Sequence, residues 1–269
     1  MTKPTTIFKY EPLTLRAIQN LKASSVYFGS PTNFNDPYDC ALTTELAPCD
    51  SDELERLKLE CVDSDAYPPE IRAKMPDLSL EQFESQIRNG AEGVLKKAAE
   101  KFLNTNAVTC FSETNDNLLM WSHYSSHHKG FVLEFDTNFE PFNKLQRVEY
   151  TDEMPRFSIA DFVRNENHDK LRRLFSTKSS DWAYEKEWRA LHNAAGTVFT
   201  YERAALKSIY FGPKISRQDM DLLCFVCHSQ FPTTKLFVGT RSVTKFAVEF
   251  EEIPEYIPYL EACERGLTS

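Results

Sequence analysis

The sequence predicts an α+β fold: a twisted antiparallel or mixed (split) β-sheet core with flanking helices and a helical insertion. Short apolar, β-branched runs occur near both ends of the chain, as expected for strands. Between two groups of these runs lies a charged, weakly amphipathic stretch at residues 51–104, which is typical of surface helices. The sequence contains neither internal repeats nor low-complexity tracts. These observations together favour one α+β domain over residues 1–269.

The N-terminal part is predicted to alternate between strand and helix. Residues 7–10 form a strand, and residues 12–22 form a helix in which proline occupies an acceptable early position. A second strand follows at residues 26–28. Residues 30–39 are rich in Asn, Asp and Pro, whose side chains and fixed backbone favour turns.

Residues 51–104 are predicted to be a helical insertion within that domain. Prolines at positions 68, 69 and 76 interrupt the helical pattern. The residues at 79–82 open the longer of the helices. A segment of this kind would act as a lid that controls access to a site.

After the insertion the strand signals resume. The predicted strands share apolar or alternating patterns and lie at residues 107–112, 130–136, 145–151, 206–212, 235–239 and 244–251. A short helix separates the first two of them, and longer helices are expected at residues 158–175 and 216–230.

Composition and charge limit the functional classes. The net charge is −9, with 40 acidic against 31 basic residues, which disfavours broad electrostatic binding to duplex nucleic acid. The chain has no apolar run long enough to span a bilayer, and its start lacks the apolar region of a signal peptide. We therefore expect a cytoplasmic protein without a membrane partner.

The seven cysteines are odd in number and widely scattered, which fits reduced thiols better than a disulfide framework. Cys224, Cys227 and His228 match the spacing for covalent haem attachment. The two cysteines lie in an apolar stretch that is predicted to be helical, so we interpret them as core thiols.

The densest motif is Tyr-Glu-Lys-Glu-Trp-Arg at residues 184–189. In an extended strand Glu185 and Glu187 project to the same face, and such a like-charged pair usually persists because a cation, a metal or a substrate needs it. One interpretation is a solvated face that pairs with Lys186 or Arg189. The other is a catalytic carboxylate with an orienting one, kept ionised by Arg189 on the same face.

The second dense motif, residues 119–124 with His127, allows three interpretations. On a helix, His123 and His127 lie one turn apart and would ligate one metal. Trp121 and Tyr124 would be core anchors, with His123 as a packing residue. In the third interpretation, Tyr124 or His123 lines a pocket for an aromatic ring such as nicotinamide.

Two further motifs are weaker. In the loop at residues 34–39, Asn35, Asp36 and Asp39 are oxygen donors, but the spacing of a calcium loop is missing, so a structural turn is favoured. Lys9 and Tyr10 end the first strand, and they gain meaning only if the fold brings them to the strand of Glu187.

Together these motifs resemble a bacterial domain-of-unknown-function family (number 2971), over roughly residues 7–215. The motifs that carry the resemblance are Lys9-Tyr10, Phe34-Asn35-Asp36-Pro37-Tyr38-Asp39, Cys110-Phe111-Ser112, Met120-Trp121-Ser122-His123-Tyr124, Lys129-Gly130-Phe131, Glu134-Phe135-Asp136 and Glu185-Lys186-Glu187-Trp188-Arg189. The name of this family implies little about activity.

The order of the motifs also resembles that of ADP-ribosyltransferases, which place a small split sheet around NAD. This resemblance implies that Glu187 is catalytic, with Glu185 as its upstream partner. NAD would be a substrate, and no metal is expected. The implied cofactor-binding residues are Lys9, Tyr10, Ser112, Trp121, His123, Tyr124 and Arg189.

Three functions compete on this basis. The first is an NAD-dependent transferase, such as a toxin or anti-phage defence effector that modifies protein or nucleic acid and is controlled by a neutralising or regulatory partner protein. The second is a metal-dependent nuclease or hydrolase, with Asp36, Asp39, Glu185, Glu187 and histidines as ligands. The third is a non-enzymatic binding or regulatory domain. The transferase is favoured, because aromatic residues outnumber plausible metal ligands in the dense motifs.

Two further predictions concern the replacement of Glu187 and of Trp121 by alanine. If Glu187 is an exposed site carboxylate, its replacement by alanine abolishes activity with little loss of stability. If Trp121 is buried, the same replacement there costs about 3–5 kcal/mol.

Overall fold

The computed structural model describes residues 3–40, 46–164, 175–257 and 259–266. The chain divides into two compact units. The first contains Met1–Ser30, Ala107–Val148 and Asp181–Ser269, and the second contains Pro31–Asn106 and Glu149–Ser180. The helical residues 51–104 lie in the second unit. The predicted α+β class is confirmed, since helices and a mixed sheet are both present.

The strands are, in chain order, β1 (Thr6–Glu11), β2 (Ser25–Phe28), β3 (Ala107–Ser112), β4 (Phe131–Asp136), β5 (Gln146–Arg147), β6 (Glu149–Thr151), β7 (Thr177–Ser179), β8 (Glu187–His192), β9 (Thr197–Thr200), β10 (Leu206–Phe211), β11 (Lys235–Arg241) and β12 (Val248–Ile253). Eight of them form the main sheet of the first unit, in the order β12-β11-β10-β4-β1-β3-β8-β5. The sheet is mixed, because β10 and β11 are parallel whereas β1, β3, β4 and β8 pair antiparallel. The pair β2–β9 also belongs to this unit.

The helices are α1 (Leu15–Lys22), α2 (Ser51–Asp63), α3 (Pro69–Arg72), α4 (Leu80–Thr105), α5 (Leu118–Tyr124), α6 (Ile159–Val163), α7 (Arg217–Gln230) and α8 (Tyr259–Glu264). The prediction that residues 79–82 open the longest helix is confirmed. The Ser79 hydroxyl accepts from the Gln82 amide at 3.1 Å, and the Gln82 side chain accepts from the Ser79 amide at 2.9 Å, which is a capping box. Within the described ranges, each helix is too short or too polar to cross a bilayer.

The two faces of the main sheet differ in character. The core face carries apolar side chains such as Ile7, Leu133 and Ile209, which pack with Leu21 of α1 and Cys224 of α7. Burying each large apolar side chain stabilises the fold by about 1.5–3 kcal/mol. The opposite face, which we call the polar face, carries Cys110, Ser112, Glu187 and Arg189, and the candidate site lies there.

The second unit has a core of its own. Leu57 of α2, Phe83 of α4 and Phe157 are each no more than 1% exposed and pack in one cluster. The predicted turn at residues 30–39 is confirmed at Asp36, whose carboxylate accepts from the Tyr38 amide at 2.9 Å. In β7, the Lys178 ammonium lies 3.3 Å from the carboxylate of Asp39, and both side chains are buried.

Several predicted boundaries are wrong. The strand predicted at residues 145–151 is two strands, β5 and β6, which belong to different sheets. The strand predicted at residues 244–251 begins only at Val248, since Ser242–Ala247 is a turn in which the Ser242 amide donates to the Ala247 carbonyl. The helix predicted at residues 158–175 is described only as α6, and its residues 165–174 lie outside the described chain. The strand β9 was not predicted.

Among the described residues, the cysteines are thiols that form no disulfide bond. Cys224 and Cys227 are 0% and 2% exposed on α7 and belong to the main core cluster, which confirms their interpretation as core thiols. Burial raises the pKa of the Cys224 thiol to about 12, so this thiol is protonated at neutral pH.

We expect iodoacetamide to label the exposed Cys263 of the native chain and to leave Cys224 and Cys227 unmodified at about pH 8, because only thiolates react and buried thiols stay protonated. Peptide mass spectrometry of native and urea-unfolded samples measures this, and the unfolded sample is the control in which all three thiols react. Labelling of Cys224 at the rate of Cys263 in the native chain would contradict the expectation.

Candidate functional site

The candidate site is built on the adjacent strands β3 and β8. Their register pairs Ser112 with Glu187 and Cys110 with Arg189. Directly opposed residues of antiparallel strands project to the same side of the sheet, so these four side chains lie together on the polar face. Residues from distant parts of the chain are thereby brought together.

Glu187 and Arg189 form a buried bidentate ion pair. The Arg189 Nε donates to Glu187 Oε1 at 2.7 Å, and Nη2 donates to Oε2 at 2.9 Å. The arginine is 0% exposed and the glutamate 4%. The prediction that Arg189 lies on the face of Glu187 is confirmed. The premise that Glu187 is an exposed carboxylate is wrong, because Glu187 and Arg189 are both buried in strand β8.

Glu185 is not part of the strand. Ser180–Glu185 forms 3₁₀ turns, and Lys186 adopts a left-handed backbone with φ of 45°. One extended strand over both carboxylates is therefore a wrong expectation, since a left-handed residue breaks the alternation of a strand. Glu185 is 3% exposed and accepts a hydrogen bond from the Tyr124 hydroxyl at 2.6 Å.

Ser112 connects the two carboxylate residues. It is the register partner of Glu187, and its hydroxyl donates to the Glu185 main-chain carbonyl at 2.6 Å. The same hydroxyl oxygen accepts from the Thr114 amide at 3.2 Å. The serine is 0% exposed, and it fixes the turn that carries Glu185 relative to the strand that carries Glu187.

The Cys110 thiol is a neighbour of Glu187, a role that was not predicted from the sequence. Burial, followed by the charge of Glu187, holds the pKa of this thiol well above its usual value. A protonated thiol is a poor nucleophile, so Cys110 serves as a neutral packing and hydrogen-bonding partner of Glu187. The Cys-Phe-Ser motif contains this cysteine, but its position beside Glu187 depends on the β3–β8 register.

Four side chains, which we call the aromatic rim, surround the Glu185 turn: His123, Tyr124, Trp182 and Tyr184. The rings of His123 and Trp182 are 6.4 Å apart, and those of Trp182 and Tyr184 are 6.0 Å apart. Asn117 caps α5 and donates to the Tyr184 carbonyl at 3.3 Å, which ties α5 to this turn. His123 is exposed and the other three are half-buried. Trp182 was not singled out from the sequence.

Trp121 and Tyr10 are packing residues. Trp121 is 0% exposed, meets the ring of Tyr10 edge-on at 5.5 Å and donates to the Asn115 carbonyl at 2.6 Å. The Tyr10 hydroxyl donates to the Thr114 carbonyl at 3.0 Å, and burial raises the pKa of Tyr10 far above its usual value. The core-anchor interpretation therefore fits Trp121, whose burial leaves no ring face for a cofactor.

Lys9 lies on the other face of the sheet from Tyr10 and Glu187. Strands β1 and β3 share one register pair, Phe8 with Ser112, so the sheet opens beside Lys9. The Lys9 ammonium lies 3.5 Å from the Cys110 carbonyl, 3.6 Å from the carboxylate of Glu11 and 5.5 Å from the centre of the Phe111 ring. These contacts place Lys9 in the opening of the sheet rather than beside Glu185 and Glu187.

The predicted helical spacing of His123 and His127 is wrong. Helix α5 ends at Tyr124, and Ser126, His127 and His128 have φ values of 47°, 55° and 70°, so His127 is not one helical turn beyond His123. Among the described residues, no group of three or more His, Cys, Asp and Glu side chains is arranged to hold a metal ion.

The fold and the site define an α+β protein whose sheet carries a buried carboxylate–guanidinium pair beside an aromatic rim. Residues 120–190 match the model of a family described as a protein of unknown function (DUF2971). The predicted resemblance to this family is confirmed over that segment, which contains most of α5 and the carboxylate motif. No curated protein and no solved structure matches the chain.

Proposed function

We propose that this chain is an NAD-dependent transferase of the ADP-ribosyltransferase type, with Glu187 and Glu185 as its working carboxylates. The observation that carries the proposal is the way Ser112 joins the two: it opposes Glu187 across the strands and bonds the backbone of Glu185. The aromatic rim beside the Glu185 turn supports the same function, since aromatic rings stack on nicotinamide and adenine.

The chemistry assigns a role to each carboxylate. The bond between the anomeric carbon of the ribose and the nicotinamide nitrogen breaks, and its electron pair leaves with nicotinamide. Positive charge develops on the ribose, and Glu187 stabilises it. A new bond forms between the anomeric carbon and an oxygen or nitrogen of the acceptor, whose proton passes to Glu185.

The neighbouring residues would position these groups. Arg189 keeps Glu187 ionised and fixes its rotamer through two charge-assisted hydrogen bonds. Tyr124 orients Glu185, and His123 offers the exposed edge of the rim to a ligand ring. In this proposal Lys9, Tyr10 and Trp121 do not contact NAD directly.

The wider setting is part of the same proposal. The acceptor is a protein or a nucleic acid in the cytoplasm, as for a toxin or an anti-phage defence effector, and a neutralising or regulatory protein partner controls the activity. The negative net charge of −9 favours an acceptor that is recognised locally rather than by broad electrostatic attraction to nucleic acid.

We expect purified wild-type protein, given NAD and cell lysate as the source of acceptor, to release nicotinamide. The replacements Glu187→Gln and Glu185→Gln keep the side-chain shape but remove the charge, and each should lower the rate by at least about 10²-fold. Mass spectrometry of released nicotinamide measures the rate, and circular dichroism checks that each variant is folded.

The matched control is Glu251→Gln, which changes an exposed glutamate on β12 of the same sheet and should leave the rate unchanged. Absence of nicotinamide release from folded wild-type protein would overturn the proposal. Equal rates for all four proteins would show that the released nicotinamide has another source.

A further inference from the structure

A cavity lies at the β12 edge of the main sheet. Its volume is about 570 Å³, which is within the range of small-molecule sites, about 300–1,000 Å³. Four segments line it: Leu118 of α5, His128, the turn after β10 at Pro213 and Lys214, and the β11–β12 turn from Arg241 to Val248. Strand β12 is one edge of the sheet, whereas β8 and β5 are at the other, and the lining includes none of Glu185, Glu187 and Arg189.

The cavity concentrates positive charge in a chain that is acidic overall. Its lining includes Lys214, Arg241, Lys245 and the imidazole of His128, and the described residues that line it include no Asp or Glu. None of the three permanent cations forms an ion pair with a described carboxylate. Burial, the charge of Lys214 and that of His127 lower the pKa of His128, as expected where cations gather without counter-ions.

Close backbone packing fixes the position of two of these groups. The Lys214 amide donates to the His128 carbonyl at 3.0 Å, and the Gly212 amide donates to the Gly130 carbonyl at 2.9 Å. A Cβ at Gly212 would lie 2.3 Å from the His128 carbonyl oxygen, so glycine is required for this approach. His128 and Lys214 are therefore held side by side by main-chain contacts.

Apart from Ser242 and Thr244, the rest of the lining is apolar. Leu118 and Val248 form part of the wall, and the wholly exposed ring of Phe246 lies in the turn that borders the cavity. A purely inorganic anion would leave this surface without a partner. A ligand with a phosphate at one end and a planar ring at the other would use both parts of the lining.

We propose that this cavity binds a small phosphorylated molecule that carries an aromatic ring, of the nucleoside monophosphate class. Arg241, Lys214 and Lys245 contact the phosphate, for which guanidinium and ammonium groups are suited. The ring of the ligand packs against Phe246 and the apolar wall. This site stands independently of the carboxylate site, and each proposal is tested without the other.

Isothermal titration calorimetry of the full chain with AMP, adenosine and inorganic phosphate tests the site. We expect AMP to bind at least about tenfold more tightly than either adenosine or phosphate, because it alone uses both parts of the lining. Arg241→Gln and Lys214→Gln should each lower the affinity for AMP by about tenfold or more, since each removes one charged contact. Lys22→Gln, which neutralises an exposed lysine on α1, is the matched control and should bind as wild type does.

Phe246→Ala separates the two parts of the site. It should lower the affinity for AMP but leave the binding of inorganic phosphate unchanged. Equal affinity for AMP and adenosine, or wild-type affinity in both charge variants, would overturn the proposal. Tighter binding of a single-stranded oligonucleotide than of AMP, lost in the same two variants, would also overturn it and assign the surface to nucleic acid. Nicotinamide release by Arg241→Gln should equal that of wild type.

Discussion

We expect Arg189→Met to lower the free energy of unfolding by about 3–5 kcal/mol, because the substitution leaves the Glu187 carboxylate buried without its partner. Arg189 is 0% exposed and makes two hydrogen bonds to Glu187, at 2.7 and 2.9 Å. An unpaired charge in this position either stays ionised at a high cost or takes up a proton. Denaturant unfolding followed by circular dichroism measures the loss.

The exposed pair of Lys235 and Glu252 is the matched control. It links β11 and β12 of the same sheet at 3.2 Å, but its side chains are 61% and 46% exposed. Lys235→Met should therefore change the free energy of unfolding by no more than about 1 kcal/mol. A loss in Arg189→Met that is no larger than this would show that water reaches the Glu187 carboxylate.

The double variant Glu187→Gln/Arg189→Met should recover part of the stability lost in Arg189→Met. Removing both charges abolishes the uncompensated carboxylate, and replacing a whole buried pair is often close to neutral. This result also matters for the activity test, since Glu187→Gln alone leaves Arg189 without its charged partner. Activity lost by folded Glu187→Gln protein can then be separated from activity lost by unfolding.

The same-face relationship of Glu187 and Arg189 was predictable because the period of a strand is two. The alternation of β4 was equally readable, since Leu133 and Phe135 face the core while Glu134 does not. Capping of α4 followed from a local motif of four residues. Local periodicity was therefore enough to predict the fold class and the positions of many elements.

Two kinds of feature could not be predicted from the sequence: those that depend on the pairing of distant strands, and those that depend on left-handed residues other than glycine. The burial of Glu187 is of the first kind, because it depends on pairing with Ser112 of β3, and nothing in the motif itself indicates this partner. The break between Glu185 and Glu187 depends on a left-handed Lys186, a conformation that lysine rarely adopts and that no local signal marked. The end of α5 before His127 has the same cause, because Ser126, His127 and His128 are all left-handed without a glycine.

We expect Trp121→Ala to lower the free energy of unfolding by about 3–5 kcal/mol, as large aromatic-to-alanine changes in a core do. The condition under which the sequence predicted this loss is met, since Trp121 is 0% exposed and packs against Tyr10 and Phe250. The substitution also removes the hydrogen bond from the indole to the half-buried Asn115 carbonyl, and a hydrogen bond of this kind contributes about 0.5–1.5 kcal/mol.

One variant divides this loss into its parts, and a second is the control. Trp121→Phe keeps an aromatic ring against Tyr10 but loses the hydrogen bond to Asn115, so its loss of stability should be smaller than that of Trp121→Ala. Phe246→Ala removes a ring that is wholly exposed and should leave the free energy of unfolding within about 0.5 kcal/mol of wild type. Equal losses in Trp121→Ala and Phe246→Ala would contradict the assignment of Trp121 to the core. A loss in Trp121→Phe as large as that in Trp121→Ala would instead attribute the effect to the hydrogen bond rather than to packing.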